Sequence, residues 1–183
     1  MNDCVLTQPR SDPSTMVLRE PRLDDGPRIR QLIDSCRPLD PNSTYAYLLL
    51  SHHFAGTCVV AERAGQLLGF VSGYVEPRQP DTLFVWQVAV DPAARGQGAA
   101  LSMLRELMRR DELRERIMFM EATVTPDNDP SRRLFGKLAR ALGAPYNESD
   151  FIGETLFGGE AHEEERLVRI GPIPINHNGG KRL

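Results

Sequence analysis

The stretch that most constrains the fold runs from position 86 to position 108 and reads WQVAVDPAARGQGAALSMLRELM. Its apolar first part predicts a buried strand, its Arg/Gly centre predicts a tight turn, and its last part predicts an amphipathic helix that begins with small residues. This order leaves backbone N–H groups unpaired and uncovered at the helix N-terminus, where the helix dipole also favours negative charge. The pattern therefore predicts an anion site at this turn, with a diphosphate as its guest.

The size and charge of the chain exclude several classes of protein. A length of 183 residues suits one domain with a substantial core. The net charge of -3 argues against nucleic acid or an anionic membrane as the main partner. No apolar run reaches the roughly 18 residues that a membrane-spanning helix needs, and the N-terminus lacks the order of a secretion signal. Cys4, Cys36 and Cys58 are odd in number and lack metal-ligand spacing, which predicts a cytoplasmic protein without a metal.

Hydrophobic periodicity predicts an α/β fold whose elements follow the order β-α-α-β-β-β-α-β-α-β. Strands are predicted at 16–18, 58–61, 67–71, 82–90, 117–124 and 166–170, and helices around 24–37, from 43 or 44, over 98–113 and over 128–143. Consecutive strands favour antiparallel pairing and the later helical crossover favours a parallel pair, so a mixed sheet is expected. Residues 16–171 are expected to form one domain, with residues 1–15 disordered and residues 172–183 a flexible tail.

The central motif resembles the coenzyme A signature of the GNAT superfamily of N-acetyltransferases. It reads Arg95-x-x-Gly98-x-Ala100 after a Val88-x-Val90-x-Pro92 strand, and the element order over residues 16–171 is similar too. The resemblance implies a GNAT fold, with a mixed, mostly antiparallel sheet flanked by helices, that uses acetyl-CoA. It also implies that the strand splays open at a bulge, where backbone amides meet the acetyl carbonyl and the pantetheine. The coenzyme-binding residues that it implies are Val88, Val90, Arg95, Gly96, Gln97, Gly98, Ala99, Ala100, Asn128 and Ser131.

Other interpretations of these residues stay open at the level of sequence. Gly96 and Gly98 also suit a plain turn without a ligand. The same pair, with Glu121 about 20 residues later, is similar to a dinucleotide-binding fingerprint. Leu101 replaces the third glycine of that fingerprint, however, and hairpin strands precede the motif. Asn128 equally suits a helix N-cap, a role that does not exclude coenzyme binding.

Three further segments resemble the L-2,4-diaminobutyrate acetyltransferases of ectoine synthesis. They are residues 37–47, 125–131 and 158–163, and the resemblance covers most of the chain. It implies transfer of acetyl from acetyl-CoA to the γ-amine of L-2,4-diaminobutyrate, giving an N4-acetyl product that another enzyme cyclises to ectoine. It also implies a homodimer. The alternatives are another small amine as acceptor, or an acyl-CoA sensor without catalysis.

The acceptor is a small zwitterion with a second ammonium group, so its site needs carboxylates for the amines and donors for the carboxylate. Asp40 suits an amine, while Asn42, Ser43 and the start of the second helix suit the carboxylate. Tyr45 is expected beside them, and Trp86 is expected to offer its ring face to an ammonium group. Ordinary alternatives exist, since the Asp40 segment suits a turn and Trp86 suits core packing.

Catalysis requires a neutral amine, although a free alkyl ammonium group has a pKa of about 10.4. Many GNAT relatives carry an acidic base where this chain has Trp86-Gln87, so another proton acceptor is needed. Glu160 and His162 are the predicted pair, with Asp40 as a further catalytic candidate. The alternative for the pair is a solvated acidic turn, because three glutamates follow directly.

The acid and the nucleophile are less clearly marked in the sequence. Phe135 stands where many relatives have a tyrosine acid, which leaves Tyr45 and Tyr74 as candidates. Because a thiolate is a good leaving group, an acid is dispensable. Cys36 and Cys58 lack a recognisable partner base, so direct attack of the amine on the thioester is expected.

Overall fold

The computed structural model describes residues 15–158 and 162–174. This part of the chain holds seven strands and five α-helices in the order β1-α1-α2-β2-β3-β4-α3-α4-β5-α5-β6-β7. The strands are β1 (Val17–Arg19), β2 (Val59–Arg63), β3 (Gln66–Val75), β4 (Thr82–Val90), β5 (Phe119–Val124), β6 (Tyr146–Ile152) and β7 (Glu165–Ile170). The helices are α1 (Gly26–Asp34), α2 (Thr44–His53), α3 (Ala99–Leu107), α4 (Asp111–Arg114) and α5 (Asp129–Leu142).

The strands form one sheet in the order β1-β2-β3-β4-β5-β7-β6. Among the described strands only β4 and β5 pair in parallel, because α3 and α4 carry the chain back between them. The β2–β3 hairpin closes through Ala64 and Gly65, whose φ angles of 49° and 78° are those that a type I′ turn requires. The predicted mixed, mostly antiparallel sheet with flanking helices is confirmed.

Helices cover both faces of the sheet and bury two apolar cores. The first core lies under α3 and α5, and the second lies under α1 and α2. Helical spacing explains the second core, since Ile29, Leu32 and Ile33 lie on one side of α1 and all three are buried. Each fully buried side chain of this size contributes about 1.5–3 kcal/mol to folding. The two cores therefore hold the central strands β3 and β4 between helices.

Two elements depart from the predicted order. Residues 98–113, predicted as one helix, form α3 and the short α4 with a tight turn between them. That turn lets both Met108 and Leu113 reach the core, which a continuous helix would not. The second departure is β6, which was not predicted because YNESDFI is mostly polar. Pairing with β7, rather than a hydrophobic pattern of its own, keeps this edge strand extended.

The domain also continues beyond its predicted end at residue 171. Ile173 is buried, and its N–H donates to the Met118 carbonyl at 2.7 Å. Residues 172–174 therefore belong to the packed domain, while Cys4, Glu160 and residues 175–183 lie outside the described residues. Within the described chain, no helix is long and apolar enough to cross a membrane. The same residues contain no group of three or more His, Cys, Asp or Glu side chains placed to hold a metal.

Candidate active site

The sheet opens at its centre, between β4 and β5. The parallel pairing starts with Thr82 opposite Phe119 and ends with Val85 opposite Ala122. Beyond that point β4 continues along β3 as far as Val90, while β5 continues along β7. Within the described chain, the second half of β4 therefore has a strand neighbour on one side only. A cleft between the two strands results.

A β-bulge lies where this cleft begins. Ser72 of β3 pairs with Gln87 and the next residue, Gly73, pairs with Val85, so Trp86 is the extra residue of β4. A Cβ atom on Gly73 would lie 2.7 Å from a carbonyl oxygen of β4, which glycine alone avoids. The Trp86 side chain is 49% exposed. The bulge thus places a large, half-open aromatic ring beside the cleft.

The backbone of β4 after the bulge presents polar groups to the cleft. The Asp91 N–H donates to the Leu68 carbonyl on the β3 side at 2.9 Å. Because successive backbone groups of a strand alternate in direction, the N–H groups of Val88 and Val90 point away from β3. They face the open side of β4. This is the arrangement that the predicted contact with an acetyl carbonyl requires.

The turn before α3 exposes backbone amides. Gly96 and Gly98 have φ angles of 76° and 79°, which glycine adopts without strain. Gly98 is the N-cap of α3 and has no side chain that could bond the first amides of the helix. Ala99 and Ala100, the first residues of the helix, are small, and open space surrounds the Cβ positions of Gly96 and Gly98. The geometry suits an anion such as a diphosphate.

The side chains of Gln97 and Arg95 hold this turn in place through hydrogen bonds. The Gln97 side-chain amide donates to the Ala93 carbonyl at 3.0 Å and accepts from Arg63 of β2 at 3.0 Å. Arg95 donates from Nε to the Val90 carbonyl at 3.3 Å, and its side chain is otherwise exposed. The turn is therefore held against β2 and β4 with the positive charge of Arg95 at its surface.

The start of α5 follows β5, the second strand that borders the cleft. The Asn128 side chain accepts from the Ser131 N–H at 3.1 Å and so caps the helix. The capping role that the sequence allowed for Asn128 is therefore present. Coenzyme contacts of Asn128 and Ser131 stay a prediction.

A charged cluster holds the loop before α5. Arg132 donates to the Pro126 carbonyl at 2.6 Å and to the Glu148 carboxylate at 3.1 Å. Arg166 of β7 donates to the same carboxylate at 2.9 Å. The Arg132 and Arg166 guanidinium groups hold the pKa of Glu148 below its usual range. The ionised Glu148 therefore links β6, β7 and α5 behind the cleft.

Three hydrogen bonds attach the loop between α1 and α2 to β4. Gln87 donates from Nε2 to the Asp40 carbonyl at 2.9 Å, and its Oε1 accepts from the Tyr47 hydroxyl at 3.3 Å. The same hydroxyl accepts from the Asn42 N–H at 2.9 Å. Gln87 and Tyr47 are 6% and 0% exposed. Since Gln87 follows the bulge residue Trp86, the loop that carries Asp40 and Asn42 lies beside the bulge.

The first turn of α2 carries two more of the predicted residues. The Ser43 hydroxyl accepts from the Ala46 N–H at 3.2 Å and is the N-cap of the helix. Tyr45 is 68% exposed. The hydroxyl proton of Ser43 remains available to an anionic group, because the cap uses only a lone pair.

His162 lies at the end of the β6–β7 loop. Its ring stacks on Phe157 with the ring centroids 3.9 Å apart. Its Nδ1 lies 2.7 Å from the Glu163 carbonyl oxygen. A carbonyl oxygen only accepts, so Nδ1 carries a proton and donates to it. The Nε2 atom lies 3.8 Å from a carboxylate oxygen of Glu165.

The β6–β7 loop meets the loop between β5 and α5. The nearby Asp127 carboxylate raises the pKa of Glu163, because two carboxylates in contact disfavour double ionisation. One end of the predicted Glu160-His162 turn therefore lies close to the loop that precedes Asn128. Glu160 itself is outside the described residues.

Comparison with known proteins agrees with this arrangement. Residues 26–139 match the Acetyltransferase (GNAT) family. The L-2,4-diaminobutyric acid acetyltransferase of Bordetella parapertussis is 51% identical over 157 residues, which cover 85% of this chain and 84% of that protein. The chain belongs to the L-2,4-diaminobutyric acid acetyltransferase family, within the GNAT enzymes.

Two further members of this diaminobutyrate acetyltransferase family extend the match. The protein of Halomonas elongata is 47% identical over 161 residues, which cover 87% of this chain and 83% of that protein. Diaminobutyrate acetyltransferase EctA from Paenibacillus lautus, solved with L-2,4-diaminobutyric acid and coenzyme A, is 42% identical with a TM-score of 0.84. The match covers 88% of this chain and 98% of that one. The predicted family, the GNAT fold and the coenzyme class are confirmed.

The candidate acids and thiols occupy ordinary structural positions. Phe135 is 3% exposed and packs in the core, so no hydroxyl replaces the tyrosine of other GNAT enzymes there. Burial raises the pKa of Tyr74, which lies against Phe84 with the ring centroids 5.3 Å apart. Cys36 and Cys58 are buried and free. None of these groups lies in the turn before α3.

Sequence reasoning missed Gln87 and Tyr47 as parts of the site. A glutamine between Trp86 and the apolar residues Val88 to Val90 is a signal in principle, since a polar group on a central strand needs a buried partner. The sequence does not say that this partner is the backbone of Asp40, because 47 positions separate the two residues.

Proposed function

We propose that this chain transfers the acetyl group of acetyl-CoA to the γ-amine of L-2,4-diaminobutyrate. The products are coenzyme A and N4-acetyl-L-2,4-diaminobutyrate, the compound from which ectoine is made. The observation that carries the proposal is the match to diaminobutyrate acetyltransferases over 85% of the chain or more, at 42–51% identity. The cleft between β4 and β5 supports it, because the exposed N–H groups of β4 suit the acetyl carbonyl and the amides before α3 suit the pyrophosphate of the coenzyme.

On the donor side, backbone groups hold the coenzyme. The amides of residues 96–100 bind the pyrophosphate, and Arg95 adds a charge-assisted contact to it. The exposed N–H groups of Val88 and Val90 bind the acetyl carbonyl and the pantetheine. Asn128 and Ser131 contact the coenzyme arm from the start of α5. Because these donors polarise the carbonyl, they stabilise the negative charge that develops on its oxygen during attack.

The transfer itself needs no covalent enzyme intermediate. The lone pair of the γ-amine forms a C–N bond to the acetyl carbon, and the C–S bond then breaks with its electron pair on sulfur. A thiol of pKa about 8.5 leaves readily as thiolate, so the absence of a tyrosine at Phe135 is tolerated. The amine must lose a proton before or during attack. The thiolate takes up a proton after it leaves.

On the acceptor side, side chains select the substrate. Asp40 binds an ammonium group, and the ring face of Trp86 contributes a cation–π contact worth about 0.5–2 kcal/mol. Asn42, Ser43 and Tyr45, at the start of α2, bind the substrate carboxylate. Glu160 and His162, from the β6–β7 loop, complete the proposed acceptor site.

Glu160 and His162 are the proposed route for the amine proton. With Nδ1 bonded to the Glu163 carbonyl, an uncharged His162 ring would offer the lone pair of Nε2 to the amine proton, and a carboxylate at Glu160 binds the cation until the proton leaves. A variant Glu160→Gln therefore raises the KM for diaminobutyrate and leaves the KM for acetyl-CoA unchanged. Equal KM changes for both substrates would remove Glu160 from the acceptor site.

We further propose that the protein is a cytoplasmic homodimer. The edge strand β6 and the segment after it carry the exposed side chains Phe151 and Leu156, which a second copy would cover. The buried free thiols of Cys36 and Cys58 suit a reducing compartment. Light scattering should give the mass of two chains for the wild type and of one chain for a Phe151→Asp, Leu156→Asp variant. A monomeric wild type would contradict the dimer.

A thiol-release assay tests the proposed reaction. Purified protein and acetyl-CoA are mixed in turn with L-2,4-diaminobutyrate, ornithine and lysine, and free coenzyme A is measured. Release should be fastest with diaminobutyrate, and NMR of the product should show acetyl on the γ-nitrogen. Equal rates with all three amines would contradict the substrate. Binding of acetyl-CoA without release would indicate a sensor rather than an enzyme.

A further inference from the structure

The Gln87–Tyr47 pair is a buried polar connection between β4 and α2. The Tyr47 ring packs edge-on against Phe70 at a centroid distance of 6.1 Å, in the core under α1 and α2. Its hydroxyl nevertheless has two partners, the Gln87 Oε1 atom and the Asn42 N–H. Buried polar groups are costly unless they are bonded, so this connection is held in one arrangement.

The other hydrogen bonds of Gln87 and Tyr47 are made to backbone atoms of the loop and not to further side chains. Gln87 holds the carbonyl of Asp40, and Tyr47 holds the N–H of Asn42. On the solvent side, Arg30 donates to the Asn42 carbonyl at 3.0 Å. The loop is thus held from the core side at Asp40 and Asn42, and from the solvent side at Asn42. Its distance from the bulge at Trp86 is set by the length of these two side chains.

We infer that Gln87 and Tyr47 are positioning residues of the acceptor site, a role that rests on the proposed function. They hold the Asp40 loop at the bulge, so that the Asp40 carboxylate and the Trp86 ring form one pocket for the ammonium groups of the substrate. A loop that moves by about 1 Å misplaces a charged contact and weakens binding and orientation together. The coenzyme turn shares no hydrogen bond with this pair and is unaffected.

Two variants remove the connection with little change in volume. Gln87→Met removes the amide and keeps the length of the side chain, and Tyr47→Phe removes only the hydroxyl. Ile33→Val is the matched control, because Ile33 is 0% exposed in the same core and its apolar side chain forms no hydrogen bond to the loop. Thermal melting of all three variants shows that each is folded and how much stability it has lost.

The readout is the fluorescence of Trp86, which is the single tryptophan of the chain. Titration of L-2,4-diaminobutyrate in the presence of coenzyme A gives a Kd for the acceptor without turnover. Gln87→Met and Tyr47→Phe should each raise this Kd and the acceptor KM about tenfold, and the KM for acetyl-CoA should stay within about twofold. The double variant should raise the Kd by less than the product of the single changes, because one connection is broken twice.

Each outcome bears on one of the two proposals. A wild type with neither a fluorescence response nor turnover would overturn the proposed function, and the positioning role with it. A wild type that responds, with an unchanged acceptor Kd in Gln87→Met and Tyr47→Phe, would overturn the positioning role alone. An equal rise in Ile33→Val would also overturn it, since general loss of stability would then explain the effect.

Discussion

The donor and acceptor ends of the proposed active-site cleft are formed by different chemical groups, backbone amides at one and side chains at the other. At the donor end, backbone amides of β4 and of the turn at Gly96 and Gly98 face the opening, and nearby side chains are small. At the acceptor end, side chains form the surface, and the buried pair Gln87 and Tyr47 holds the loop of Asp40 in place. Coenzyme binding should therefore be sensitive to local changes of the backbone, whereas acceptor binding should also be sensitive to the loss of contacts away from the pocket.

The largest effect is expected from a substitution at the donor turn. Gly98→Asp places a side chain and a negative charge in front of the first amides of α3, at a φ of 79°. The KM for acetyl-CoA should rise about 100-fold, because like charge and steric block act together on the phosphate. Initial rates at varied acetyl-CoA give this value.

The control for that substitution is Gly65→Asp. Gly65 has nearly the same φ, 78°, and open space around its Cβ position, but it lies in the β2–β3 hairpin. Backbone strain is therefore matched while the anion site is left intact. If Gly65→Asp impaired acetyl-CoA binding as strongly as Gly98→Asp, strain and not phosphate contact would explain both results.

The same contrast explains how far the sequence could lead. The strand, turn and helix around Gly96 and Gly98 follow from neighbouring residues, since a buried strand, positive φ angles and a small helix start are local properties. The donor end was therefore predictable. At the acceptor end, Asp40 and Trp86 could be singled out, but the connection through Gln87 joins residues 47 positions apart and depends on the bulge.

Elements that owe their conformation to neighbours were equally hard to foresee. The polar strand β6 is extended because it pairs with β7, and its residue Glu148 is ionised because Arg132 and Arg166 surround it. Neither fact has a local hydrophobic signature. The break after α3 likewise depends on the core, which takes in both Met108 and Leu113.

A substitution at Trp86 tests whether side chains govern the acceptor end. Trp86→Ala should raise the KM for diaminobutyrate about tenfold, in line with loss of a cation–π contact and of the pocket wall. The KM for acetyl-CoA should stay within about twofold. Phe54→Ala is the matched control, since Phe54 is 44% exposed against 49% for Trp86 but lies at the C-terminal end of α2. If Trp86→Ala raised both KM values alike, the donor and acceptor ends would behave as one site and not as two.

The charged cluster behind the donor end should matter for stability in a pH-dependent way. The pKa of Glu148 is lowered in the folded protein, so its contribution is present above the unfolded pKa and is lost as pH falls through the folded pKa. Glu148→Gln should lower the free energy of unfolding by about 1 kcal/mol at pH 7, a value discounted for partial exposure. The deficit should shrink below about pH 4.5.

Urea unfolding at pH 7, 5 and 3.5 measures this dependence. Asp150→Asn is the control, because Asp150 pairs with the same Arg166 at 2.6 Å but its side chain is 89% exposed. It should change the stability by less than about 0.5 kcal/mol, as exposed ion pairs do. A constant Glu148→Gln deficit at all three pH values would show that packing, and not charge, accounts for it.

The smallest effect is expected from removing a thiol. This substitution tests whether a cysteine takes part in the reaction besides the backbone amides and the acceptor side chains. Burial raises the pKa of the Cys58 thiol to about 11, so it stays protonated at neutral pH and cannot attack a thioester. Cys36 is also buried, and its thiol donates to the Val90 carbonyl at 3.4 Å. Cys58→Ala and Cys36→Ala should each keep kcat within about twofold, with a folding cost of about 1 kcal/mol. Loss of turnover in either folded variant, together with an acetylated cysteine in the wild type by mass spectrometry, would replace direct attack with a covalent route. If turnover is retained, the amine is the nucleophile. The reaction then needs only the donor groups and the acceptor groups of the cleft.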